Sequence, residues 1–202
     1  MTRLPILLVA AVVALCGCGG NDDSKTEAST PAPAPAAALP GAQTGPPPWT
    51  RGVDQLAQRL QVLGLPALPA EGTVVHIHQH LDLYVEGRHL TVPAGIGIGQ
   101  TFISPLHTHD VSGVMHVESE RPRTFTLGEF FGVWGVPLSS SQVGGLKAGA
   151  GKQLRAWVDG KEFSGDPSTI ELASHQEIVV AYGTPAQTPK PVPASFAFPP
   201  GD

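Results

Sequence analysis

Six of the eight histidines in this 202-residue chain fall into two short groups whose spacing suits metal ligation. The first group is His76-Ile-His-Gln-His80. On a strand successive side chains alternate faces, so His76, His78 and His80 point one way while Val75, Ile77, Gln79 and Leu81 point the other. Alternate residues lie ~6.5–7 Å apart along a strand, and imidazoles of that reach converge on one ion bound at ~2.0–2.1 Å. The second group is His107-Thr-His-Asp110, followed after a short turn by His116. Two His-x-His pairs plus His116 offer more nitrogens than a tetrahedral site requires. Asp82, Asp110 and Glu118 stand beside these histidines and are expected to orient imidazoles through the nitrogen not bound to metal. The competing reading is a solvated polar strand face. His89, beside a turn, and His175, isolated in Ala173-Ser-His-Gln176, are given that reading.

The missing residue types narrow the ion. The cysteines are Cys16 and Cys18, both near the N-terminus, and Met115 is the one methionine after Met1. On a strand Met115 faces opposite to His116. Blue-copper and methionine-rich Cu(I) sites are therefore disfavoured, and imidazole ligation suits Cu(II) or Zn, Ni less well. Three functions compete. The first is a binding module that captures Cu(II) or Zn for homeostasis or transfer, and it is preferred. The second is a metalloenzyme whose ion keeps an open position to activate water. The third is a metal-free adhesion or assembly domain. Against an enzyme, the chain has no His-Glu-x-x-His helix and no Gly-x-Ser-x-Gly elbow. An enzyme calls for a recessed site with an open position and a carboxylate in reach, and a storage module for a solvent-facing one.

Several elements must position these groups. Val53, Leu56, Leu60 and Leu63 recur at helical spacing, with Gly64 as the stop. Thr73 to Val85 reads as a strand, and Glu86-Gly87 turns it into Arg88 to Val92. Ala94 to Gly99 is glycine-rich loop or bulge, and His116-Val-Glu118 is another strand. Thr124 to Trp134 reads as a second helix, with Thr126 and Glu129 spaced as a capping box and Leu127, Phe130, Phe131 and Trp134 as its apolar stripe. Leu154 to Val158 and Lys161 to Phe163 flank the turn dipeptide Asp159-Gly160. Thr169 to Leu172 and Glu177 to Tyr182 complete the expected strands. Hairpin, helix, then hairpin and strand give a mostly β, α+β domain. Its sheet is expected to be small, mixed or antiparallel, with one or two helices in a β-grasp-like order.

The ends have a different character. Arg3 precedes an apolar run from Leu4 to Leu15, the length of a signal-peptide core and too short to span a bilayer. It ends in Leu15-Cys16-Gly17-Cys18, which resembles the lipobox of bacterial lipoproteins, with Cys18 at the acylated position. The expected organisation is a signal peptide over 1–17 and a Pro/Ala-rich disordered tether over 18–48. A His-rich domain then covers 49–183, and an extended Pro-rich tail 184–202. The resemblance implies a domain in the cell envelope, held to a membrane by acyl chains on Cys18. Removing the signal leaves eleven basic residues against seventeen acidic, a net charge of −6. Nothing clusters the Lys and Arg that a nucleic-acid partner needs.

Five segments also carry a resemblance downstream: His76-Ile-His-Gln-His-Leu81, Pro105-Leu-His-Thr-His-Asp110, Gly113-Val-Met-His-Val-Glu118, Thr126-Leu-Gly-Glu-Phe-Phe131 and Trp134-Gly135. Together they look like a poorly characterised family of exported prokaryotic proteins, over roughly Thr73 to the C-terminus. That resemblance implies an extracytoplasmic His-rich domain and no settled activity. Pro105-Leu-His-Thr-His109 also resembles the first metal motif of cupins, but Val114 stands near the place where that motif needs an acid.

Overall fold

The computed structural model describes residues 39–201. The expected signal segment, Cys18 and the expected tether as far as residue 38 lie outside the described residues. Among those described are two α-helices and ten strands. The helices are α1 (Leu56–Leu63) and α2 (Leu127–Trp134). The main sheet holds β1 (Val75–Val85), β2 (Arg88–Leu90), β3 (Leu106–His107), β4 (Val114–Ser119), β8 (Gln153–Val158), β9 (Lys161–Phe163) and β10 (Glu177–Gly183), in the order β3-β4-β1-β10-β8-β9. The short β2 pairs with the far half of β1. The pair β1–β10 is parallel and every other pairing antiparallel, so the sheet is mixed, as expected of an α+β domain. First and last strands lie side by side at its centre, which agrees with the β-grasp-like order.

One face of the sheet carries the core. Leu81, Leu83, Met115, Val117, Ile178, Val180 and Ala156 point to that side and pack with Leu56, Leu60, Phe130, Phe131 and Trp134 of the helices. Each large side chain so buried contributes about 1.5–3 kcal/mol. The reciprocal capping box of α2 forms: Glu129 N donates to Thr126 Oγ1 at 3.3 Å, and Thr126 N to the Glu129 carboxylate at 2.9 Å. Arg59 of α1 is fully buried and donates to the carbonyls of Pro40, Gly52, Asp54 and Val133. It thereby ties the incoming chain to the end of α2.

Four local expectations need correction. Helix α1 starts at Leu56 because Gln55, at φ 58°, breaks the helical run from Val53. Helix α2 starts at Leu127, the extended Thr126 being its cap. Thr169 to Leu172 is not a strand: Asp166 caps a 3-10 turn over Pro167–Thr169, and Glu171 keeps only an isolated bridge to Thr126. A small meander, β5 (Leu138–Ser139), β6 (Gln142–Val143) and β7 (Leu146–Lys147), has no counterpart in the expected elements.

At the ends, residues 39–48 pack on the domain although their composition is that of the tether. Leu39 is buried, and the Gln43 side chain donates to Trp134 O and Thr50 O. The Pro-rich tail crosses the outer sheet face, where Val192 packs with Trp157, Val179 and Ala181. No described helix is long and apolar enough to cross a membrane.

Candidate metal centre

Sheet register builds the site. His107 on β3 lies opposite His116 on β4, and His116 lies opposite His78 on β1. Three imidazoles therefore stand in one row across three strands, on the face away from the helices. The next pair along β4 and β1 is Glu118 and His76. Directly opposite residues have Cβ atoms ~4.5–5.5 Å apart, so such a row brings its ring nitrogens together.

His109 reaches the row from outside the sheet. After His107 the chain leaves β4, and Thr108 fastens it to the neighbouring loop. Thr108 N donates to Ile96 O at 3.1 Å and Thr108 Oγ1 to Pro93 O at 2.7 Å. His109 then folds back over His107, with the two Nε2 atoms 3.2 Å apart. Gly97 sets how closely that loop backs β3. It has φ +73°, and a Cβ there would lie 2.2 Å from Leu106 O and 3.1 Å from His107 Cβ.

His107 is fully buried, and its Nδ1 lies 3.0 Å from Ser104 O. A carbonyl only accepts, so Nδ1 carries the proton and Nε2 turns its lone pair to the cluster. This is the tautomer of a ligating histidine steadied by a backbone carbonyl. Burial pushes the His107 pKa down to about 3; the Ser104 bond opposes this, and His116, His109 and His78 reinforce it. The ring is neutral at ordinary pH.

Glu118 lies among the nitrogens. Its Oε1 is 3.3 Å from His116 Nδ1, 3.4 Å from His76 Nε2 and 3.8 Å from His107 Nε2. Burial raises its pKa, Glu71 adds to the rise, and His76 and His109 oppose it. A tetrahedral ion with ligand bonds of ~2.0–2.1 Å has ligand–ligand edges of ~3.3–3.4 Å. The edges of 3.2, 3.3 and 3.8 Å approach that figure. One donor atom from each of His107, His109, His116 and Glu118 lies within 4.8 Å of every other, and the same holds for His76, His78 and Glu118. The cluster is enclosed at His107 and meets solvent at His109, whose side chain is 44% exposed and whose Nε2 lies 3.3 Å from Glu71 Oε1.

The remaining expected residues are placed elsewhere. His80 shares the strand face but sits opposite Val114, and its Nδ1 lies 2.8 Å from Glu177 Oε2 while Nε2 lies 2.8 Å from Ser112 O. His80, Asp82 and Glu177 form a third compact group, and the Phe196 ring of the tail stacks on His80 at 3.8 Å. Burial, the largest influence, lowers the His80 pKa. The hydrogen bond and charge of Glu177, with Ser112 O and Asp82, outweigh it and leave the pKa raised. Burial raises that of Glu177, His80 opposes the rise through its hydrogen bond and charge, and Asp82 and Asp159 add to it, leaving the pKa raised.

Asp82 also accepts from His89 Nε2 at 2.8 Å, and Asp110 serves its own turn, accepting from Ser112 N at 2.8 Å. His175 lies beside Phe198 of the tail. Glu71 and Glu177 were not singled out from the sequence. Glu177 reaches His80 only through the parallel β1–β10 register, which has no local sequence signal. Compared with protein-family models, curated proteins and solved structures, the chain finds no match.

Proposed function

We propose that this protein binds a divalent transition metal, Zn or Cu(II), through His107, His109 and His116 with Glu118, as a lipid-anchored module for capture, homeostasis or transfer in the cell envelope. One observation carries the metal reading. The buried, neutral His107 has its tautomer fixed by Ser104 O, and its Nε2 is held 3.2 Å from that of His109. Imidazole-rich ligation suits Zn and Cu(II), and the one carboxylate is compatible with either. The lipobox-like Leu15-Cys16-Gly17-Cys18 supports the anchor, and the acidic balance, −5 for the whole sequence, offers little to a phosphate backbone.

The test is metal content. The full chain, purified in detergent without a polyhistidine tag and dialysed, should retain at least stoichiometric Zn or Cu by mass spectrometry. The His107→Ala/His109→Ala variant should retain one equivalent less. If the unaltered chain retains none, and shows no thermal shift with Zn, Cu(II) or Ni, the metal reading fails. Mass-spectrometric detection of acyl chains on Cys18 decides the anchor separately.

A water-activating metalloenzyme is the second reading. It is favoured by the burial of His107, the exposed side at His109, and the Glu118 carboxylate within hydrogen-bond reach. Hydrolysis of an activated ester by the Zn-loaded chain, lost in Glu118→Gln with the ion retained, would move the assignment there.

A further inference from the structure

Five imidazoles crowd one carboxylate, and a single ion does not use them all. A tetrahedral zinc site takes four ligands. His107, His109, His116 and Glu118 already supply four, and His76 and His78 form a second compact group that contains Glu118 again. The strand order explains the sharing. Strand β4 runs between β3 and β1, so Glu118 has His107 on one flank and His76 on the other. Its Oε1 lies 3.8 Å from the first and 3.4 Å from the second.

We propose that the site is dinuclear: one divalent ion on His107, His109 and His116, a second on His76 and His78, and Glu118 bridging the two. This rests on the metal reading above and adds its stoichiometry. Ions bound ~2.0–2.2 Å from the oxygens of one carboxylate come within reach of the ~3.5–4 Å separation found in two-metal sites. The rings keep the same scale, with centroids of His78 and His116 4.4 Å apart and those of His76 and His78 4.8 Å apart. The second ion has only three protein ligands and sits beside His76, whose side chain is 54% exposed. Solvent or a small anionic ligand completes its coordination, so it is the ion with open positions. A two-metal centre of this kind clamps the attacking and leaving oxygens of a displacement, which a lone four-ligand ion does not.

The experiment uses the full chain in detergent, stripped with chelator and loaded with Cu(II). Bound copper is counted by mass spectrometry and its coupling read by electron paramagnetic resonance. Two equivalents per chain with a broadened spectrum and a half-field transition are expected, falling to one equivalent with a mononuclear spectrum in His76→Ala/His78→Ala. His78 is buried, so His76→Ala alone serves as the milder variant. Its affinity for the second equivalent should fall ~10-fold or more, that for the first holding within a few-fold. One uncoupled equivalent in the unaltered chain overturns the dinuclear centre and leaves the single-ion reading standing. No bound copper overturns the dinuclear centre, and absence of zinc and nickel as well sinks the single-ion reading. Two equivalents retained by the double variant also overturn it, and direct attention to His80, Asp82 and Glu177.

Discussion

Replacing His107 with leucine separates a ligand from a packing residue. In the metal-free chain the substitution removes the Nδ1 hydrogen bond to Ser104 O and leaves that carbonyl without its imidazole donor. The orphaned acceptor costs about 1–3 kcal/mol. Burying a leucine in the fully enclosed place of the imidazole contributes about 1.5–3 kcal/mol, so the two nearly cancel. With metal the balance is different. An ion that binds only the folded state stabilises it by about 2.7 kcal/mol at one hundred times its Kd. In a domain of this size each kcal/mol moves Tm by about 2–4 °C. The ion at His107, with Zn at that excess, should therefore add about 5–11 °C to the Tm of the unaltered chain, and His107→Leu should lose that part of the rise. Without metal the two should melt within about 4 °C of each other. Circular dichroism melts at pH 7.5, in chelator and in Zn, read both quantities. An equal rise in the variant would show that His107 is no ligand, and a metal-free loss beyond about 4 kcal/mol would make the ring a structural group.

Four further substitutions probe the supports. Gly97→Ala forces a Cβ against Leu106 O at a positive φ. Competition with a chelating indicator should show metal affinity reduced ~10-fold or more, because the loop can no longer back His107. Arg59→Met strips four carbonyls of their buried donor and should cost about 4 kcal/mol or more in urea melts, metal affinity in the still-folded chain being unchanged. His80→Leu and Glu177→Leu each leave a buried partner behind and should cost about 3–5 kcal/mol, while the double variant costs clearly less than their sum. Both pKa values of that pair stand above their ordinary 6.5 and 4.5, so the native pair holds more protons than the unfolded chain. Its stabilisation is full below those ordinary values and is lost as pH rises through the raised ones. Melts of the double variant against pH should lack that fall.

Local chemistry made part of the fold legible. Glu86-Gly87 and Asp159-Gly160 both take positive φ, as two-residue hairpin turns require, and Thr126 with Glu129 caps α2. What sequence hides is register and tertiary closure. Alternation makes His76, His78 and His80 equivalent on one face, yet His78 sits opposite His116 while His80 sits opposite Val114 and beside Glu177. That difference assigns them to separate groups, and no residue nearby in sequence announces it. Glu118 shows the same limit: alternation puts it on the face of His116, without saying whether its oxygen meets a ring N–H or an ion. The tether boundary was obscured because Leu39 and Gln43 sit in a Pro/Ala-rich stretch, and their anchoring partner, Trp134 O, is far along the chain.

The cost of the histidine row is the argument for an ion. A polar cluster on a sheet face, buried for stability alone, is commonly matched or bettered by apolar residues of similar volume. Here the outer face already contains such a solution beside the site, where Trp157, Val179 and Ala181 pack under Val192. Only on the β3-β4-β1 side is that solution replaced by imidazoles. There His107 is desolvated until its pKa falls to about 3, and Glu118 is held among nitrogens by three separate strands. Hydrogen bonds among the rings hold this arrangement in the metal-free chain, but they do not require His107 Nε2 to be both unprotonated and enclosed. Ligation requires the unprotonated nitrogen, and a desolvated ring keeps it so at ordinary pH. If apolar replacement of the whole row raises metal-free stability while abolishing metal binding, the row is retained for the ion. If it lowers metal-free stability and no metal binds the unaltered chain, the row is packing, and the metal assignment falls with it.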